Sequence, residues 1–187
     1  LFGKVWLRGT RFATEETIEA GFDQGIFVDL LPYDALSSDP ATAAKQRRDC
    51  RFWQSVSYLS HAKSIVVPHK GALGAIERAA CGAAHLAARG LYSPEKIVSR
   101  FNKAATWGND PSLASDDLVV MAYATYEPYA RSMMLPTSTV TFEGCEFPAP
   151  ADPEAFLRQL YGEWRKLPPV EARRNHAPVE LDFGPYA

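Results

Sequence analysis

The carboxylate of Asp29 interrupts an otherwise apolar run, and for that reason it is the first candidate for chemistry. The run extends from Gly25 to Leu31 and is closed by Pro32. Such a run, bounded by glycine and proline, predicts a buried strand. A carboxylate inside a buried strand is costly unless it is paired or binds a cation. Asp29 is therefore either a metal ligand or a strand-end residue that accepts hydrogen bonds from loop amides.

Two further polar residues follow predicted strands. Asp34 comes soon after Pro32, so we expect it in a loop, where it either stabilises a turn or contacts a substrate. Gly9-Thr10 ends a strand predicted over residues 2–9. Thr10 then either faces a ligand or lies in a solvent-facing turn. Both residues are candidate substrate-binding residues.

The C-terminal tail carries basic and imidazole side chains that suit phosphate contacts. His176 follows Arg173 and Arg174, and a histidine pKa near neutrality suits proton transfer. Lys166 precedes a Leu-Pro-Pro turn and is a candidate phosphate ligand. Each of these residues could equally be an ordinary surface residue. We predict that the tail folds back over the sheet and brings His176 close to Asp29.

The elements that must position these residues follow an α+β order rather than a regular βα alternation. Strands are predicted over residues 2–9, 25–31 and 118–123, and a β-hairpin is predicted around Glu143-Gly144. Helices are predicted after Asp39-Pro40, from Leu73 to Arg89 with Gly90 as the terminating residue, after Ser93-Pro94 and after Asp152-Pro153. Residues 11–23 are predicted to be a loop or one short helical turn.

Composition limits the class of protein. The chain has 187 residues, of which 47% are hydrophobic and 22% charged, so we expect a sizeable core in one domain, or in one domain with an appended subdomain. A net charge of −2 argues against a nucleic-acid binder that neutralises phosphates. No apolar run approaches the ~20 residues of a membrane span. The three cysteines lack zinc-site spacing, and free thiols predict a reducing, cytoplasmic location.

Three segments together resemble the LicD family of phosphocholine and sugar-alcohol-phosphate transferases, to which the fukutin-related proteins also belong. The segment from Gly25 to Asp34 is similar to the family pattern Gly-Ile-Phe-Ile-Asp-Ile-Phe-Pro-x-Asp. The family also has a Gly-Thr pair like Gly9-Thr10, and a Tyr-Gly, Leu-Pro-Pro and histidine order in its tail. The resemblance covers residues 3–36 and 136–184, whereas the helical middle over residues 39–107 is not diagnostic.

This resemblance implies a nucleotidyltransferase-like mixed sheet with inserted helices and a C-terminal hairpin, helix and tail. It implies Mg²⁺-dependent (or Mn²⁺-dependent) transfer of a phospho-alcohol, such as phosphocholine, from a CDP-linked donor to a glycan hydroxyl. Asp29 would be the third carboxylate of a metal site across the donor diphosphate. The remaining site residues that the resemblance implies are catalytic His176 and substrate-binding Thr10, Asp34, Lys166 and Arg174.

One departure from the family concerns the metal site itself. The aspartate-rich motif Trp-Asp-Asp-Asp-x-Asp is absent from this sequence. In the family it precedes the segment that opens this chain, so we expect one LicD-like domain over residues 1–187 that lacks its N-terminal metal-motif segment. A non-catalytic LicD-like domain that binds a glycan or a partner protein is the alternative. A nucleotidyltransferase acting on a small molecule is a third interpretation, which needs the same carboxylates and a Gly-Ser strand.

Overall fold

The computed structural model describes residues 2–61, 69–173 and 178–187. Helices and strands occur in mixed order within these ranges, which confirms the α+β class. The strands are β1 (Gly3–Trp6), β2 (Arg11–Ala13), β3 (Phe27–Leu30), β4 (Asp34–Ser37), β5 (Ala114–Val119), β6 (Tyr129–Ala130), β7 (Ser138–Phe142), β8 (Cys145–Ala149) and β9 (Glu180–Asp182). The α-helices are α1 (Glu15–Ala20), α2 (Pro40–His61), α3 (Gly71–Leu91), α4 (Pro94–Ala105), α5 (Arg131–Met134) and α6 (Pro153–Tyr161).

The strands form small antiparallel sheets. β1 pairs with β3, β2 with β9 and β7 with β8, while β5 lies between β4 and β6. The resemblance predicts one mixed sheet, and the strand pairings of the described residues differ from that prediction. The strands are short, from two residues in β6 to six in β5, and turns or helices follow them at once.

The main core lies between α2, α4 and the sheet of β4, β5 and β6. Its buried members are Leu36, Cys50, Phe101, Ala105, Val119, Met121 and Ala124. Gln46 is buried at the edge of this core, and its Nε2 donates to the carbonyls of Ala35 and Ala105 at 3.1 and 2.8 Å. Its Oε1 accepts from the N–H of Ser37 at 3.1 Å. One side-chain amide therefore joins β4, α2 and the end of α4 without leaving a buried polar atom unpaired.

The predicted starts of α2, α4 and α6 are confirmed by their capping residues. Asp39, Ser93 and Asp152 accept hydrogen bonds from backbone N–H groups of the first turn, at 2.8, 3.3 and 3.0 Å. The predicted hairpin is also confirmed, because β7 and β8 meet at Glu143 and Gly144. These two residues have φ angles of 50° and 75°, the left-handed conformation that a tight type I′ turn needs.

Two other predictions of local structure are wrong. Helix α3 continues through Gly90 to Leu91, and the N–H of Tyr92 still donates to the carbonyl of Ala88 at 3.1 Å. The strand predicted over residues 118–123 lies earlier, as β5, because Met121–Tyr123 turn into a short 3₁₀ helix. Backbone hydrogen bonds of the following residues thus extend α3 and end β5. Composition alone does not reveal these bonds.

Residues 11–23 hold more structure than a loop or a single turn. They contain β2 and the six-residue helix α1, which Thr14 caps through its side chain. β2 forms because the distant strand β9 supplies its hydrogen-bond partners. A pairing across so large a separation leaves no local pattern in the sequence.

None of the helices in the described part of the chain is both long enough and apolar enough to cross a bilayer.

Candidate functional site

Asp29 lies within β3, directly opposite Lys4 of β1. The Nζ atom of Lys4 is 3.1 Å from Asp29 Oδ1 and 3.4 Å from the centroid of the Phe27 ring. The predicted burial of this strand is wrong, because Val28 and Leu30 are 66% and 53% exposed. A two-stranded ribbon covers neither of its faces by itself. The carboxylate is therefore accommodated by an ion pair and by partial contact with solvent, not within a sealed core.

An open cleft of ≈ 600 Å³ lies between β1 and α2, and Lys4 is the member of the ion pair that lines it. Alternation along β1 directs Lys4 and Trp6 to the same side of the ribbon. Trp6 packs edge-to-face against Phe22, with ring centroids 5.5 Å apart. The residues that line this aromatic cleft are Phe2, Lys4, Trp6, Phe22, Gln54, Ser57 and Tyr58. The cleft thus offers several aromatic rings and one ammonium group to a ligand.

Thr10 joins the end of β1 to the start of β3. Its Oγ1 donates to the carbonyl of Leu7 at 2.7 Å and accepts from the N–H of Ile26 at 2.9 Å. Gly25 approaches so closely that a Cβ there would lie 2.8 Å from the Leu7 carbonyl oxygen and 2.9 Å from Thr10 Oγ1. The Gly9-Thr10 pair and the Gly25-Ile26 pair are therefore two halves of one junction. The Thr10 hydroxyl is already used within the protein.

A second and more polar cleft, of ≈ 330 Å³, lies against this junction. Its lining residues are Trp6, Leu7, Arg8, Gly9, Thr10, Asp23, Gln24 and Gly25. Trp6 lines both clefts, so the two clefts are neighbours. The cationic Arg8 and the anionic Asp23 give this second cleft charges of both signs.

The C-terminal tail returns to the same region. β9 pairs with β2, and the N–H of Val179 donates to the carbonyl of Ala13 at 2.8 Å. Gly184 packs so closely that a Cβ there would lie 1.9 Å from the carbonyl oxygen of Gly9. Residues 178–187 therefore return to β2 and to the Gly9 turn, and they do so by strand pairing in a separate sheet. His176 and Arg174 lie outside the described residues, so their predicted places near Asp29 stay predictions.

The tail is held to β2 by charge as well as by strand pairing. The guanidinium of Arg11 forms ion pairs with Glu180 of β9 and with Asp23, the second at 2.7 Å. The hydrogen bond to Glu180, followed by the charge of that carboxylate, raises the pKa of Arg11 above its usual value. Because these groups are exposed, the pairs set the register of the tail more than they stabilise it.

Asp34 is not in a loop, contrary to the prediction. It begins β4, is only 7% exposed, and its Oδ1 accepts from Asn109 Nδ2 at 2.8 Å. Asn109 Oδ1 in turn accepts from the N–H of Ala35 at 2.8 Å. Burial, and then the nearby carboxylate of Asp34, raise the pKa of the Cys50 thiol to about 12. Asp34 therefore belongs to the interior beside the main core.

The predicted site residues do not all meet. Asp29 and Thr10 belong to the same β1–β3 ribbon, whereas Asp34 lies in the sheet of β4, β5 and β6. Lys166 is exposed in the turn after α6, where its N–H donates to the carbonyl of Glu163 at 2.9 Å. The structure brings Asp29 and Thr10 to one ribbon and gives Asp34 and Lys166 different surroundings.

Lys4 and Trp6 are not among the site residues predicted from the sequence. The alternation Phe2, Lys4, Trp6 on β1 is the signal that would have identified them, because it sets one cation among aromatic residues on one strand face. The partner of Asp29 could not be identified from that signal. Which residue of β1 lies opposite Asp29 depends on strand register, and the register follows from the Thr10 junction.

The residues present do not by themselves fit a Mg²⁺ centre. Asp29 supplies one carboxylate, and the Lys4 ammonium 3.1 Å away repels a second cation. In the ranges that the structure describes, no three His, Cys, Asp or Glu side chains are grouped so that they could hold a metal ion. Mg²⁺ prefers several oxygen ligands in near-octahedral geometry. Further ligands would have to complete any such centre.

Comparison of this chain with models of protein families, with curated proteins and with solved structures finds no match.

Proposed function

We propose that this chain is part of a LicD-type transferase, which moves a phospho-alcohol such as phosphocholine from a CDP-linked donor to a glycan hydroxyl. The observation that carries the proposal is the junction of the two family-like motifs. The Gly9-Thr10 pair and the Gly25-Ile26 pair contact each other through the Thr10 hydroxyl, and β3 leads from there to Asp29. Two motifs that are similar to one family, and that β2 and α1 separate along the chain, thus form one unit beside the more polar cleft.

The chain's own residues suggest how a donor would be held. A diphosphate entering the aromatic cleft would find the ammonium group of Lys4, which is 30% exposed. Phosphate oxygens would compete with Asp29 for this cation, because both ligands are anionic. The aromatic rings of Trp6 and Phe22 would cover apolar or ring-shaped parts of the donor. Asp29 would then be released toward the reacting groups.

The Mg²⁺ or Mn²⁺ requirement in this proposal rests on the resemblance. When bound, the ion would neutralise charge on the diphosphate. Because Asp29 and its neighbours do not fit a metal centre alone, no step of the reaction is derived through the ion. The nucleotidyltransferase-like architecture, the cytoplasmic location and the roles of Lys166, Arg174 and His176 belong to the same proposal. The expectation that a segment ahead of residue 1 supplies further carboxylates is also part of this proposal.

The second candidate function is a non-catalytic LicD-like domain that binds a glycan or a partner protein. The Lys4–Asp29 ion pair favours it, because the carboxylate already has a cationic partner. In that case the aromatic cleft would bind its ligand without transfer of a group.

The test is release of CMP from CDP-choline and other CDP-alcohols, with Mg²⁺ and a glycan acceptor. The protein should carry whatever residues its gene encodes ahead of Leu1. We expect release that falls by about a hundredfold in Asp29→Asn, since a charge at the reacting groups is lost. Glu154→Gln is the matched control, because Glu154 also belongs to an exposed ion pair, with Arg165. No release with any donor would favour the non-catalytic domain. Release that Asp29→Asn leaves unchanged would remove Asp29 from the reaction.

A further inference from the structure

Helix α3 turns its apolar side away from the rest of the protein. It packs on α2 through Ala88, which contacts Val56 and Ile97 in a small buried cluster. The contact is also polar, because His85 Nδ1 donates to the carbonyl of Leu59 at 2.5 Å. The four largest apolar side chains of α3 are instead exposed: Leu73 by 52%, Ile76 by 67%, Leu86 by 72% and Leu91 by 66%. This is the reverse of the usual arrangement for a surface helix.

The exposed side contains a regular strip in which residues recur at intervals of three and four. Its members, here called the α3 strip, are Leu73, Ile76, Ala80, Ala83, Ala87 and Gly90. All of them are exposed. This spacing is that of the contact positions between two helices packed side by side. An exposed apolar strip of this length indicates an interaction surface rather than isolated surface residues.

The α3 strip is complementary to itself when two copies run antiparallel. The two bulky members of the strip, Leu73 and Ile76, lie at its start, and its other four members are small. The contacts in this arrangement join Leu73 to Gly90, Ile76 to Ala87 and Ala80 to Ala83, each to the residue of the other copy. A Cβ built at Gly90 would have nothing within 4 Å, so space is open there for a leucine. Outside the strip, Leu86 of one copy would face Ala79 of the other.

The charges of α3 are compatible with this pairing. Glu77 is held by His69, whose Nδ1 lies 2.6 Å from Glu77 Oε1. Arg78 and Arg89 are exposed but are not members of the α3 strip. No like charges would therefore meet along the strip of the paired helices. Binding to a membrane surface would not require the bulky members of the strip to match its small members.

We propose that this face binds a second copy of the same chain, through an antiparallel, two-fold symmetric pairing of the α3 strips. A two-fold axis between the Ala80–Ala83 contacts makes the interface identical on both copies. Small residues at the axis allow the two backbones to approach closely, within the 8–10 Å usual for packed helices. The contact from residue 73 to residue 90 extends for about 27 Å at 1.5 Å per residue. Such an interface is small, so we expect dissociation in the micromolar range.

Sedimentation equilibrium of the whole chain tests the proposal. We expect a monomer–dimer equilibrium between the 20.7 kDa chain and twice that mass. Ile76→Glu should weaken the dimer by at least about tenfold, since it puts two carboxylates into the contact. Leu167→Glu is the matched control, because Leu167 is equally exposed, at 71%, but lies outside α3. A wild-type monomer throughout the micromolar range, or an Ile76→Glu dimer as tight as wild type, would overturn the proposal.

Disulfide cross-linking tests the direction of the two helices, even if Ile76→Glu does not fold. With Cys81 and Cys145 replaced by serine, the pair Leu73→Cys and Gly90→Cys should form a covalent dimer on oxidation. Leu73→Cys alone should not, because its two copies would be about 25 Å apart in the antiparallel pair. Equal cross-linking by the single variant would overturn the antiparallel register. Monomeric protein that sediments with anionic vesicles, and loses this with Ile76→Glu, would assign the strip to a membrane surface.

Discussion

At the residue scale, the surroundings of Asp29 explain how β3 accommodates a carboxylate. The strand register places Lys4 opposite it, and the ammonium group contacts both the carboxylate and the Phe27 ring. Each side chain keeps about a third of its surface exposed, 30% for Lys4 and 36% for Asp29. Exposed ion pairs contribute little to stability because water screens them. The pair therefore holds the Lys4 ammonium group beside the aromatic cleft more than it stabilises the fold.

Asp29→Asn should accordingly cost less than about 1 kcal/mol of unfolding free energy. Urea denaturation followed by circular dichroism measures this. Glu154→Gln provides the comparison, since it breaks the exposed ion pair between Glu154 and Arg165. A loss of several kcal/mol in Asp29→Asn alone would mean that the carboxylate is a structural residue, and would remove the reason to connect it with chemistry.

Cys50 should make stability depend on pH in the alkaline range. Burial, and then the carboxylates of Asp34 and Asp49, raise the pKa of its thiol from 9.0 to about 12. The folded protein then keeps a proton that the unfolded chain releases. Because this release favours the unfolded chain, stability is unaffected below pH 9.0 and falls as the pH rises from 9.0 through about 12. Urea denaturation at a series of alkaline pH values should show this decrease.

The matched variants for that experiment are Cys50→Ala and Cys145→Ala. Cys145 is exposed and should leave the pH profile unchanged. Cys50→Ala should flatten the profile, although the lost side chain lowers stability at every pH. A profile as steep in Cys50→Ala as in the wild type would show that other groups cause the alkaline decrease.

At the scale of elements, the Thr10 junction determines how β1, β3 and the tail meet. It ties the two strand ends together and leaves no room for a side chain at Gly25. The tail packs on the same turn, because Gly184 lies against Gly9. The register of β1 on β3, and with it the Lys4–Asp29 pair, follows from this local geometry.

Gly25→Ala should destabilise the protein by about 1–3 kcal/mol, since its Cβ would overlap backbone and hydroxyl oxygens that cannot move freely. Gly82→Ala is the control, and we expect its change in unfolding free energy to have the opposite sign. Gly82 lies inside α3 with nothing within 4 Å of its Cβ position, so alanine should stabilise by about 0.5–1 kcal/mol. Chemical denaturation of both variants measures the difference. Equal effects at the two glycines would contradict the tight junction.

At the scale of the whole molecule, the sequence predicts the features that depend on residues close together in the chain. The caps at Asp39, Ser93 and Asp152 and the turn at Glu143-Gly144 are local, and the structure confirms them. The α+β class also follows from the order of such local signals.

The predictions that differ from the structure depend on contacts between distant parts of the chain. The exposure of β3 depends on which elements cover the ribbon. β2 exists because β9 pairs with it, and Asp34 is interior because Asn109 and β5 enclose it. Of the candidate site, the sequence identifies Asp29 and Thr10 but not Lys4, whose role arises from strand register.

The central claim is transfer of a phospho-alcohol to a glycan, and mass spectrometry of the acceptor tests it most directly. The protein, with any residues its gene encodes ahead of Leu1, would be incubated with Mg²⁺, CDP-choline and a panel of glycan acceptors. We predict that one acceptor gains a phosphocholine group in the presence of the wild type and not of Asp29→Asn. An unmodified acceptor panel with CDP-choline and with every other CDP-alcohol, from protein shown to be folded, would contradict the account.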